Sequence, residues 1–215
     1  MTPVRRFAAG AVIALVPLLA LWWGSADAIT AALRPVVGIA AQILMPITAV
    51  RGDGQGGWRV ETNLLVTDSK AGGNLEVATF NVDHQMVRRL SLSWPLLLAL
   101  LLAPPRANPL APRLAAALAI LAALFVAGGL AEIFGYLAAL VNHVPGFGNE
   151  LMPTVRVAAP PYSDVTFFAG KLGRYAALYF QPLAAPPVLW LALNPRAGRL
   201  FLVVSAARNP QPSEP

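Results

Sequence analysis

Four stretches of this chain run almost without a charged side chain: 7–23, 90–105, 114–141 and 172–193. Each approaches or reaches the ~20 residues that carry a helix across the hydrocarbon of a bilayer. The pattern between the first two stretches is of another kind. In "WRVETNLLVT" (58–67), Trp58, Val60, Thr62, Leu64 and Val66 fall on one side of an extended chain, with Arg59 and Glu61 on the other. "NLEVATFNV" (74–82) is also rich in β-formers, and "DSKAGG" between the two supplies turn residues, so a hairpin is predicted. Two strands alone are marginally stable. The hairpin therefore needs cover: the apolar segment 27–46, the membrane surface, or another protein. That segment predicts a helix, kinked or restarted at Pro35. "RGDGQGG" (51–57) reads as a flexible break. The fold class that follows is mainly α, a polytopic membrane protein of about four transmembrane helices with a small extracytoplasmic α+β cap, helix plus β-hairpin.

This reading divides the chain in order. Residues 1–23 form an N-terminal transmembrane anchor and 24–89 an extracytoplasmic domain. Residues 90–141 hold the second and third transmembrane helices, joined by a short, basic inner turn, "RANPLAPR" (106–113). Residues 142–170 are rich in Pro and Gly and predict an extended, loop-like extracytoplasmic cap. Residues 171–207 are a fourth helix, kinked by Pro182, Pro186 and Pro187, with an inner extension, and 208–215 are a disordered tail. The third apolar stretch has 28 residues and would rise about 42 Å, so it must tilt or project. The first has a rival reading as a signal peptide, because Arg5 and Arg6 precede it and Ala26-Asp27-Ala28 fits a cleavage site. Its 17 residues and terminal Trp22-Trp23, which suit the interface belt, favour an uncleaved anchor.

Composition sharpens this picture. Of 215 residues 57% are hydrophobic and 12% charged, against about 25% charged in average soluble domains. There is no cysteine, which excludes disulfides, thiolate metal sites and a cysteine nucleophile. The net charge is +6. If both termini are cytoplasmic, the inner segments hold Arg5, Arg6, Arg106, Arg113, Arg196, Arg199 and Arg208 against Glu214 alone, whereas six cations and six anions balance in 24–89. The excess thus sits inside, as the positive-inside bias expects, although Arg88, Arg89, Lys171 and Arg174 lie at outer ends. The basic character is then a topology signal, with no nucleic-acid role. The expected topology leaves both termini cytoplasmic and exports 24–89 and 142–170.

Candidate chemistry is sparse. The third span places a small residue at every fourth position, including Ala119, Ala123, Ala127, Ala131 and Gly135, a spacing that lets helices approach closely. Its partner is another span of this chain or a different protein. Glu132 lies about 27 Å along that helix from Leu114 and about 60° from Gly135, beside the small-residue face. An unpaired charge there is costly. Its natural partners are Lys171 and Arg174, or Arg88 and Arg89, all at similar depth. The result is a structural ion pair, or a polar site open to the outer face. His84 and His143, with Asp83 and Glu150, are the only candidates for a metal or acid/base site, and their spacing is not that of a ligand set. No nucleophile elbow, zinc-protease helix or phosphate loop is present. No cofactor is expected.

The anchor, the small exported domain, the span after "NVDHQMVRRLSLSWPLLL" and the segment "PPYSDVTFFAGKLGRYAALYFQPLAAPPVLWLALNP" together resemble the exosortase H-associated membrane proteins. The resemblance covers most of the chain. It implies an integral membrane partner such as exosortase H, a polytopic enzyme that handles proteins with a C-terminal sorting signal. Exosortases use a cysteine and this chain has none, so the resemblance implies a companion of that enzyme. The expected function is a non-catalytic accessory or scaffold subunit. The alternatives are a transporter or channel subunit, which lacks the internal repeats usual in transporters, and a membrane enzyme using His84 or His143.

Overall fold

The computed structural model describes residues 3–68, 75–104, 109–142 and 155–194. Helix α1 runs unbroken from Pro3–Leu44, and β1 (Ile47–Gly52), β2 (Trp58–Asp68) and β3 (Leu75–Val82) follow. Two helices come next, α2 (His84–Leu90) and α3 (Ser93–Leu102), then α4 (Leu110–Val141) and β4 (Val155–Val157). The described chain closes with α5 (Asp164–Tyr175), a π-helical turn (Ala176–Phe180) and α6 (Gln181–Leu193). Among the described residues, four helical runs are long and apolar enough to cross a membrane: Val4–Leu44, His84–Leu102, Leu110–Val141 and Asp164–Leu193.

The predicted hairpin is present, and the sheet is larger than a hairpin. β2 and β3 pair antiparallel with Trp58 opposite Val82 and Leu65 opposite Val77. β1 pairs with the first part of β2, Gly52 opposite Trp58, and β4 with its end, Val66 opposite Val157. The sequence reading missed β1 because "ITAVRG" is short and runs into a glycine turn. The segment 51–57 is not a flexible break: 51–52 end β1 and 53–57 form a hydrogen-bonded turn. Asp53 Oδ1 accepts from the amides of Gln55 (2.8 Å) and Gly57 (2.9 Å), the local bonding that makes Asp a turn residue. Gly54 (φ 83°) and Gly56 (φ 92°) adopt conformations other residues resist.

Two helix boundaries also differ from expectation. Pro35 neither breaks nor restarts α1. A proline withholds the amide that would bond four residues back, here the Ala31 carbonyl, and Ala31 is exposed, so water can satisfy it. The loop expected over 142–170 ends at Ser163, whose hydroxyl accepts from the Thr166 amide (3.3 Å) and caps α5. In the fourth helical run the widened π turn precedes the prolines Pro182, Pro186 and Pro187, where freed carbonyls need adjustment. The inner extension 195–207, the tail 208–215, the turn 69–74, residues 105–108 at the start of the inner turn and residues 143–154 lie outside the described residues.

The contacts divide the chain into two compact units. One gathers described residues of 1–24, 92–121 and 183 onward; its core is Leu97, Leu101, Ala117, Leu121 and Trp190, with Phe7 stacked on Trp190 at 4.8 Å. The other comprises 25–91 and 122–182. There the inward face of the sheet, Trp58, Val60, Phe80 and Val82, packs on Val37 and Ala41 of α1, Val87 and Leu90 of α2, and Phe125, Ile133 and Leu137 of α4. The cover that the hairpin needs is therefore supplied within the chain. Gly129 makes the close approach possible: a Cβ there would meet both Trp58 and Val37 at 3.2 Å.

Candidate functional site

The carboxylate of α4 and the first turns of the fourth helical run meet in the second unit. Glu132 is fully buried and the Arg174 side chain 11% exposed. Arg174 Nε donates to both Glu132 carboxylate oxygens at 2.9 Å. The guanidinium also lies 4.3 Å from the centroid of the Tyr136 ring, and Tyr136 stacks on Phe80 of the sheet. Gly135 supplies the room, since a Cβ there would strike Arg174 Cδ at 2.9 Å. A charged pair, the Tyr136 ring and a glycine thus hold α5 to α4, and Phe80 ties α4 to the sheet. Charge-assisted bonds of this kind are about twice as strong as neutral ones.

The other cations go elsewhere. Lys171 Nζ sits 5.2 Å over the Phe167 ring. Arg88 Nε lies 3.2 Å from Asp27 Oδ1, and His84 Nε2 approaches the same oxygen at 2.8 Å. Arg89 is exposed. The cluster of Asp27, His84 and Arg88 ties α1 to α2, and the sequence reading did not foresee it. Its signal was present: Asp27 falls on the face of α1 that carries Thr30 and Arg34. Asp83 is engaged as the cap of α2, accepting from the Gln85 amide at 2.7 Å. Among the described residues no three His, Cys, Asp or Glu side chains gather as a metal site. His143 and Glu150 lie outside those residues.

The small-residue face of α4 splits in two. Gly135 and Ala131 pack on α5, where a Cβ on Gly173 would lie 3.7 Å from Ala131. Ala119, Ala123 and Ala127 are exposed. Close packing inside the second unit instead uses Gly128 and Gly129. A Cβ on Gly128 would meet Leu90 at 2.9 Å and Ala177 at 3.5 Å.

On the sheet, Leu65, Leu75 and Val77 are exposed apolar residues of β2 and β3, and β3 pairs only with β2 among the described strands. At the near end, Asn142 brackets Tyr162, donating to its carbonyl (3.0 Å) and accepting from its amide (2.8 Å). Burial pushes the Tyr162 hydroxyl above its ordinary pKa, and its ring packs against Phe134.

The comparison with known families matches residues 1–197 to the model described as "Exosortase H-associated membrane protein". No curated protein and no solved structure matches the chain.

Proposed function

We propose, because this chain belongs to the exosortase H-associated membrane proteins, that it is a non-catalytic accessory or scaffold subunit of an inner-membrane protein-sorting system, and that it docks the polytopic sorting enzyme. The observation that carries this reading is the exposed half of the α4 small-residue face. Ala119, Ala123 and Ala127 lie on a helix long and apolar enough to cross the bilayer, and each is exposed. Between lipid-embedded helices there is no hydrophobic driving force, so association depends on close packing of such small residues. The Glu132–Arg174 pair serves the same role by fixing the rotation of α4 against α5. That rotation decides which face of α4 is left for a partner.

The second element is the cap, for which the positive-inside balance supports a periplasmic position. Its exposed Leu65, Leu75 and Val77, and the edge of β3 that no other described strand pairs, suit an extended segment of a partner. Unpaired strand edges are ready templates for such additions.

Co-purification in mild detergent tests the reading. Expressed with an exosortase H-type sorting enzyme, the chain is expected to elute with it. Ala123→Leu, which fills the groove between small residues, is expected to reduce the recovered enzyme without lowering the amount of the chain. A chain that runs alone under every condition contradicts the proposal.

A further inference from the structure

Beneath the β1–β2 turn, the second unit holds a cavity of about 440 Å³. One wall is α1, with Asp27, Thr30, Ala31 and Arg34; the other is the glycine turn, and Trp58 lines it as well. The size suits one small ligand or a headgroup. Its polar groups are of two kinds.

Arg34 is half-buried and, among the described residues, has neither a hydrogen-bond partner nor an ion-pair partner. It lies against the turn backbone, where a Cβ on Gly52 would collide with its Nη1. The amides of Gly54 and Gly56 make no hydrogen bond to a described residue, whereas those of Gln55 and Gly57 are taken by Asp53. Arg34, Gly54 and Gly56 line one cavity, and a guanidinium with uncommitted glycine amides is a set of donors that suits a multi-oxygen anion. The nearby carboxylates do not cancel it. Asp27 is answered by Arg88 and His84, and Asp53 is spent within its own turn.

The second kind is acceptors. Asp27 lines the cavity, and Pro35 leaves the Ala31 carbonyl without its helical donor. An anion pole and an acceptor pole in one small cavity fit a ligand that carries both a phosphate and hydroxyl groups. The chain enters this unit directly after Trp22-Trp23, residues of the kind that settle at headgroup depth.

We propose that this cavity binds a phosphoglycerol group: Arg34 and the adjacent turn amides hold the phosphate, and Asp27 with the Ala31 carbonyl accepts from the hydroxyls. The group can come from an anionic lipid headgroup or from a soluble glycerol phosphate.

The test uses the full chain in phosphatidylcholine nanodiscs, with and without phosphatidylglycerol, and titrates sn-glycerol 3-phosphate by calorimetry. Native mass spectrometry of the protein released from each nanodisc reads lipid retention. The wild type is expected to bind at least one probe; retention of the lipid alone identifies the headgroup as the source. Arg34→Gln is expected to weaken that binding by about ten- to hundredfold, the loss of a charged hydrogen bond. Gly52→Ala, which keeps the charge and displaces it, is expected to weaken it too, and Arg34→Lys to retain part. Each variant's unliganded melting temperature reports whether it folds, and Arg34→Lys carries the test if Arg34→Gln does not. Equal binding by wild type and the folded Arg34 variants overturns the proposal. So does binding of neither probe, or Arg34-dependent binding of a peptide's free carboxylate when both phosphates fail.

Discussion

Replacing Glu132 with Gln keeps the shape of the side chain and removes its charge. Arg174 Nε then keeps one neutral acceptor, the Gln Oε1, and loses the second contact together with its counter-charge. Removing the charge of one member of a buried ion pair typically costs about 3–5 kcal/mol, because the survivor stays buried without its counter-charge. Two features place this site toward the lower end of that range. Arg174 is 11% exposed, so water reaches part of it, and the Tyr136 ring at 4.3 Å still attracts the cation, a contact worth about 0.5–2 kcal/mol. A loss of about 3 kcal/mol is expected. Against a total stability of order 5–15 kcal/mol, that is readily measured by reversible unfolding in mixed dodecylmaltoside and sodium dodecyl sulfate micelles, followed by circular dichroism. The double variant Glu132→Leu/Arg174→Met removes both charges and restores apolar volume, so it is expected to recover most of the loss. A Glu132→Gln variant within about 0.5 kcal/mol of wild type would refute the reasoning, since a buried pair cannot be broken so cheaply. A double variant as unstable as the sum of the two singles would refute it as well.

Trp58 is 1% exposed at the centre of the sheet's inner face, so Trp58→Ala is expected to cost about 3–5 kcal/mol in the same unfolding assay; a loss under about 1 kcal/mol contradicts the packing described. Asn142→Ala removes both hydrogen bonds that bracket Tyr162, a loss of about 1–3 kcal/mol at the ordinary worth of such bonds, and hydrogen exchange should rise first in the segment around Tyr162. Alkaline phosphatase fused at position 70 or 155 is expected to be active and at position 106 inactive, and the reverse pattern would invert the proposed topology.

The architecture was legible because its signals are long. Twenty apolar residues, or five alternating ones, survive local exceptions, and the four helices and the hairpin stand on such runs. Short elements carried too little pattern. β1 is six residues and β4 three, and β4 is held by pairing with β2 rather than by its own composition. Pro35 misled because a proline's cost depends on whether the freed carbonyl reaches water, which a one-dimensional pattern does not record. Ser163 followed by Thr166 was a readable helix start, hidden in a segment judged by its prolines. For Glu132 the pattern demanded a partner and named four cations at one depth. Choosing Arg174 needs the rotation of α5 about its axis, which Gly135 and Tyr136 set through contacts far apart in sequence. The cavity beside Arg34 was invisible for a related reason: it exists only once the glycine turn folds over α1.

A photo-crosslinking residue at Ala123, in cells that make the sorting enzyme, reads the docking face directly. The account predicts an adduct between the chain and that enzyme from position 123, and none from the exposed Val188 of α6. Adducts to lipid alone from position 123, or equal protein adducts from both positions, would contradict it.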